Sequence, residues 1–144
     1  MNRRVYLAAV GSAASTGLAG CSAVSSAFSE DDGCDGCDIG MTRNAFTPDE
    51  YEVSVGETVV WKNTSDADHT ITARESSLPD GADYFATGGF EDEATAVDAW
   101  HAERGGRLGI RETFEHTFDV VGTYRYFCEP HINAGMAGRI VVSE

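Results

Sequence analysis

Within nine positions near its C-terminus this chain places a thiol, an imidazole and a thioether: Cys128, His131 and Met136, in the run Tyr124-Arg125-Tyr126-Phe127-Cys128-Glu129-Pro130-His131-Ile132-Asn133-Ala134-Gly135-Met136. A strand ending at Cys128 delivers the sulfur, Pro130 stiffens the turn, and Gly135 tolerates the backbone angles that bring Met136 back. Thiolate and thioether are soft donors that select copper over hard cations. Two imidazoles, one cysteine and a long axial methionine make a blue-copper electron-transfer site. The run supplies one imidazole, so a second must come from upstream.

His69 is the best source, because it sits where one apolar stretch ends and another begins, 59 residues before Cys128. A ligand that distant ties two remote segments together, as a site at the end of a folded β-sandwich requires. Taken singly, Cys128 suits a buried small hydrophobe, His131 a surface loop and Met136 a core plug. That bland reading fails jointly, given the spacing and a suitably placed upstream histidine.

Further pieces carry a family resemblance: Asn44-Ala45-Phe46-Thr47-Pro48, Val53 to Asn63 with Trp61, His69-Thr70, and Val121-Gly122-Thr123-Tyr124. With the Cys128 to Met136 loop, the stretch from Ile39 to Glu144 resembles the cupredoxins, and within them the halocyanins, plastocyanin-like small blue copper proteins of halophilic archaea. The resemblance implies an all-β, cupredoxin-like Greek-key sandwich, here with one short inserted helix. It also implies one copper ion, cycling between Cu(I) and Cu(II), on His69, Cys128, His131 and Met136. It further implies a monomeric carrier serving membrane redox complexes as donor and acceptor.

The first 20 residues do not belong to that domain. Arg3-Arg4, a mildly apolar run rich in Ala, Gly and Ser, and the ending Leu18-Ala19-Gly20-Cys21 read as an export signal rather than a membrane-spanning helix. The paired arginines resemble a twin-arginine signal and the ending resembles a lipobox. Cys21 is then the lipidated first residue of the mature chain, and two lipid chains on it anchor the protein to the extracytoplasmic face of the cell membrane. Residues 21–38 read as a flexible tether rich in Ser, Ala, Asp and Gly. Its Cys34-Asp35-Gly36-Cys37 has no second pair or nearby histidine to make a metal site, so a local disulfide between Cys34 and Cys37 is expected outside the cytoplasm.

The domain itself reads as short strands. Phe46-Thr47-Pro48 leads into Tyr51 to Val55, a Gly56-Glu57 turn precedes Thr58 to Asn63, and Thr70 to Ala73 follows His69. Phe114, His116 and Phe118 alternate with polar residues. Tyr124, Tyr126 and Cys128 share one face of the next strand, and Ile140-Val141-Val142 closes the sheet. Strands without helical crossovers predict two stacked sheets with the metal loops at one end. Glu91 to Arg104 departs from this rhythm: acids in front, a base behind and Gly105-Gly106 after it predict a helix packed by Val97 and Trp100. Asp80 to Phe90 reads as its irregular lead-in. His101 is expected to be solvated, and His116 to be a packed or strand-edge residue.

Charge narrows the setting. The chain carries −14 with a single lysine, Lys62, and removal of the first 20 residues takes two arginines and no acid, giving −16. Such a surface stays soluble when salt screens repulsion, and it repels nucleic acid. The donor set leaves no open equatorial position for a substrate, which suits one-electron transfer rather than catalysis. An oxidase or reductase needs further histidine clusters, and only His101 and His116 remain unassigned. A copper-delivery or copper-sensing protein, or the electron donor of a copper-dependent reductase, are the alternatives; a chelator competition separates the first two from a carrier. His131 with Pro130 and Ile132 is the expected exit for the electron.

Overall fold

The computed structural model describes residues 34–144. The signal segment, Cys21 and the tether up to residue 33 lie outside the described residues.

Two four-stranded sheets form the domain. The first has the order β2-β1-β4-β6, from β1 (Ile39–Met41), β2 (Phe46–Thr47), β4 (Thr58–Asn63) and β6 (Thr113–Thr117). The second has the order β3-β8-β7-β5, from β3 (Glu50–Ser54), β5 (Thr72–Ala73), β7 (Gly122–Phe127) and β8 (Ala137–Ser143). Each sheet mixes directions: β1 runs parallel to β4 and β3 parallel to β8, while the other pairs are antiparallel. The family's all-β sandwich is thus present, with a single α-helix, α1 (Glu93–Glu103), among the described residues.

The alternation of residue types sets which face is covered. In β4, Val59, Trp61 and Asn63 are buried while Thr58 is exposed; in β7, Tyr124 and Tyr126 point inward while Thr123 and Arg125 point out. Trp61 of the first sheet meets Tyr126 of the second edge to face, with ring centroids 5.4 Å apart, and Phe46 meets the same tyrosine at 4.7 Å. Such contacts between the inner faces weld a sandwich together.

Four features differ from expectation. Ile39 to Met41 forms a strand that is too short and too glycine-diluted to show a period. The residues just before it are not free tether: the Asp38 carboxylate accepts from the Val60 N–H and from the Tyr51 hydroxyl, and Asp38 N–H donates to Val60. Thr70 and Ile71 fall outside β5, because their N–H groups are spent on Cys128 Sγ and Thr87 Oγ1 rather than on a ladder. Ile140 to Val142 does not close a sheet edge: β8 lies between β3 and β7. In the fourth, the 80–90 stretch is part of the core, since Phe85 is buried beside Trp61, Phe118 and Tyr124.

The helix forms where its caps predict. Asp92 accepts from the Thr95 N–H at the N-terminus, and Arg104 ends it in the left-handed region at φ 60°. The stop is therefore an arginine, and Gly105 is needed next to it because a Cβ there would lie 2.8 Å from that of Ala99. Its contact differs from the expected one. Ala96 is the buried residue of α1, and Val97 and Trp100 are only half-buried. A small residue lets the helix approach closely, which no count of large apolar residues reveals.

Candidate metal centre

Strand directions bring four loops to one end of the sandwich. β1, β4 and β7 finish there and β5, β6 and β8 start there, so residues 42–45, 64–71, 104–112 and 128–136 are neighbours. His69 is pinned between two of them: its N–H and C=O exchange hydrogen bonds with Leu108 at 3.2 and 2.7 Å. The ring is fully buried.

Cys128 directly follows β7 and is a free, fully buried thiol. The chain then turns through a 3₁₀ segment, Glu129–Ala134, opened by Pro130 and ended by Gly135 in the left-handed region at φ 81°. Gly135 therefore serves as expected. Met136 returns beside Cys128, its carbonyl accepting from the Cys128 N–H at 3.0 Å and its N–H donating to the His131 carbonyl at 3.3 Å. Its side chain is buried.

Cys128 Sγ lies 3.5 Å from His69 Nδ1 and 3.4 Å from His131 Nδ1, and the three donor atoms fall within 4.8 Å of one another. Metal bonds of about 2.0 Å to nitrogen and 2.3 Å to sulfur, meeting at tetrahedral to trigonal angles, separate the sulfur from each nitrogen by about 3.5–3.7 Å. The two sulfur-to-nitrogen distances lie at or just inside that span, as a shared ion requires. Two imidazoles and a thiol, with the buried Met136 paired through its backbone to Cys128, suit copper. His69, Cys128 and His131 fit a single type 1 copper site.

Electrostatics set the same bias. Burial, then repulsion from His131, pulls the His69 pKa down to about 4, against the opposing pull of the Thr42 backbone and Asp68. His69 is therefore neutral, the form that ligates. Burial pushes the Cys128 thiol up, partly offset by hydrogen bonding from Thr70. The Thr70 N–H points at Sγ from 3.4 Å and its hydroxyl accepts from the Glu129 N–H at 2.9 Å. Thr70 directly follows His69 in the chain, and no motif there marks this role.

The remaining histidines are elsewhere. His116, on the edge strand β6, stacks on Phe85 at 4.6 Å and meets Phe118 edge-on at 4.8 Å. His101 is exposed but not simply solvated: its Nε2 lies 2.7 Å from Glu129 Oε2, which ties α1 to the loop after Cys128. Cys34 and Cys37 are joined in a disulfide, with their Cα atoms 5.3 Å apart. Pro130, His131 and Ile132 are each half-buried and Ala134 is exposed.

Comparison with known proteins agrees with this geometry. The model of the family "copper binding proteins, plastocyanin/azurin family" matches residues 36–143. Plastocyanin of Vicia faba is 31% identical over 99 residues, covering 69% of this chain and 88% of its own. Plastocyanin of Scenedesmus fuscus is 37% identical over 97 residues, covering 67% and 85%. Against the chloroplastic plastocyanin of Fritillaria agrestis, 36% identical, the chain spans about half of the relative, 52%. Among solved structures, a reduced amicyanin mutant superposes with a TM-score of 0.50 at 25% identity, covering 76% of this chain and 84% of that one. A Sinorhizobium pseudoazurin, at TM-score 0.52 and 24% identity over 74% and 72%, shares the fold. The protein thus belongs to the plastocyanin/azurin family of copper binding proteins, whose small blue copper members are electron carriers rather than enzymes.

Proposed function

We propose that this protein is a halocyanin-type one-electron carrier, shuttling electrons between membrane redox complexes on the outer face of the cytoplasmic membrane, and held there by lipid on Cys21. The observation that carries the reading is the buried thiol of Cys128 with a histidine Nδ1 on either side, at 3.5 and 3.4 Å. Copper bound there by His69, Cys128, His131 and Met136 supplies the Cu(II)/Cu(I) couple.

The chain's own part is to keep water and substrate out while leaving one short way in. His69, Cys128 and Met136 are buried, so among the expected ligands only His131 reaches toward solvent. Its ring, flanked by Pro130 and Ile132, is the port through which a partner comes close to the metal. Fixed loops limit reorganisation: Cys128 and Met136 are tied to each other, and Thr70 ties the His69 loop to the Cys128 loop. A donor set held in one place suits fast exchange of an electron and not bond-making.

Charge supports the same face. The four loops at the copper end carry Arg43, Arg104, Arg107 and Arg111 against Asp66, Asp68, Glu112 and Glu129, an even balance in a chain of −14. The acidic excess that keeps the body soluble is absent where a partner must approach. In molar salt the Debye length falls to about 3 Å, so contact there rests on apolar burial more than on steering.

Stopped-flow reduction of an Ile132→Glu variant tests the port. Self-exchange and partner reduction should slow while spectrum and potential hold; an unchanged rate with an intact spectrum rejects the assignment. Cell fractionation tests the anchor: Cys21→Ser should leave the membrane fraction or stall as precursor, and a processed variant that stays membrane-bound contradicts it.

A further inference from the structure

A polar network behind His69 closes completely on itself. Asn63, the last residue of β4, is fully buried, and its Nδ2 donates both hydrogens to backbone carbonyls, Ala67 at 2.7 Å and Leu108 at 3.1 Å. Its Oδ1 accepts twice from Ser65, from the backbone N–H at 2.9 Å and from the hydroxyl at 2.8 Å. Turning the amide over would set its oxygen against two carbonyls and its NH₂ against an N–H, so the orientation is fixed by its neighbours. The Ser65 hydroxyl has one hydrogen and two lone pairs. The hydrogen is committed to Asn63 Oδ1, one lone pair receives the Ala67 N–H at 3.2 Å, and the remaining lone pair faces His69 Nε2 at 3.0 Å.

Only a donor can complete that set. A lone pair on Nε2 would meet a lone pair on Ser65 Oγ, leaving two acceptors in repulsion. Nε2 must therefore carry the hydrogen, and in a neutral imidazole Nδ1 is then bare. Nδ1 is the nitrogen that lies 3.5 Å from Cys128 Sγ.

We propose that Asn63 and Ser65 are positioning residues that lock His69 into its Nε2–H tautomer, so that Nδ1 is presented as a ligand before any metal arrives. The chain of control runs from the carbonyls of Ala67 and Leu108 through Asn63 and the Ser65 hydroxyl to the ring. The Leu108 carbonyl belongs to the segment after α1, so two of the four loops at this end are read by one side-chain network. The link between tautomer and copper affinity rests on His69 being a copper ligand; the tautomer itself is a property of the copper-free protein.

Nitrogen-15 NMR of the copper-free protein reads the ring directly. In wild type, His69 should show one tautomer, with a pyrrole-like Nε2 and a pyridine-like Nδ1. Ser65→Ala removes the side-chain acceptor, leaving only the Thr42 backbone facing the ring, and should give a mixed tautomer, with copper affinity lowered about 10- to 100-fold, as is usual when an outer partner of a ligand is lost. Ser65→Thr keeps the hydroxyl and should restore both readouts, which a purely structural role for the loop would not require. Amide spectra of the three proteins establish that all are folded. A hydrogen on Nδ1 in wild type, or a Ser65→Ala protein that keeps the pure Nε2–H tautomer and wild-type affinity, overturns the assignment. A copper-loaded wild type without a visible band would instead reject the copper reading and leave the tautomer measurement standing.

Discussion

Replacing Thr70 by valine removes the hydroxyl that holds the two ligand loops together. The side chain is buried, and its hydroxyl accepts from the Glu129 N–H at 2.9 Å. Glu129 opens a 3₁₀ turn, so its N–H has no partner within that turn. Valine fills the same space and accepts nothing. The lost bond and the stranded N–H together cost about 1–3 kcal/mol. In a domain of this size that lowers Tm by about 4–8 °C per kcal/mol. The backbone N–H of residue 70 still points at Cys128 Sγ, so the copper-loaded variant should keep its visible band, shifted by loss of the hydroxyl beside the sulfur. Urea and thermal unfolding of the copper-free proteins provide the assay, with Thr70→Ser as the control that returns the acceptor. A valine variant as stable as wild type, or a serine variant no better than valine, would refute the assigned bond.

Two other outcomes follow from particular side chains. Met136→Gln offers a harder oxygen and should lower the reduction potential, whereas Met136→Leu removes the donor and should raise it, with copper retained in both; voltammetry that finds three equal potentials excludes axial coordination by Met136. Burial holds the His116 pKa below its ordinary value, against the opposing charges of Asp83 and Asp119. The stability His116 contributes is therefore complete above the unfolded value of about 6.5 and is lost as pH falls toward the folded one. His116→Phe, which keeps the stack on Phe85, should lose less stability between pH 7 and pH 5 than wild type, and urea midpoints at the two pH values that shift equally would contradict this.

Much of the site could be read from residue types alone, because Cys128, His131 and Met136 are close in the chain and ligand chemistry restricts what such a cluster does. His69 was reachable because a strand-to-strand loop placed it. What stood behind it was not. Asn63 and Ser65 look like ordinary turn residues in sequence, and their role depends on the carbonyl of Leu108, 45 residues away from Asn63. The strands with clear alternation, β4 and β7, were legible, whereas β1 has three residues and depends on pairing with β4 and on the Asp38 carboxylate. Phe85 escaped because a buried residue in a glycine-rich segment has no period to announce it. The helix was found by its charges and caps, but its contact through Ala96 is a matter of close approach that only packing decides.

The most direct test of the whole account is the absorption spectrum of the copper-loaded protein in its oxidised state, measured beside Cys128→Ser. One thiolate bound to Cu(II) with two imidazoles and a weak axial sulfur should give a strong visible thiolate-to-copper band. That band should vanish on reduction and be absent in Cys128→Ser, which should still fold, since serine is close to cysteine in size and every strand residue is kept. A protein that binds copper without the band, or a Cys128→Ser variant that keeps its colour, would contradict the assignment of this site.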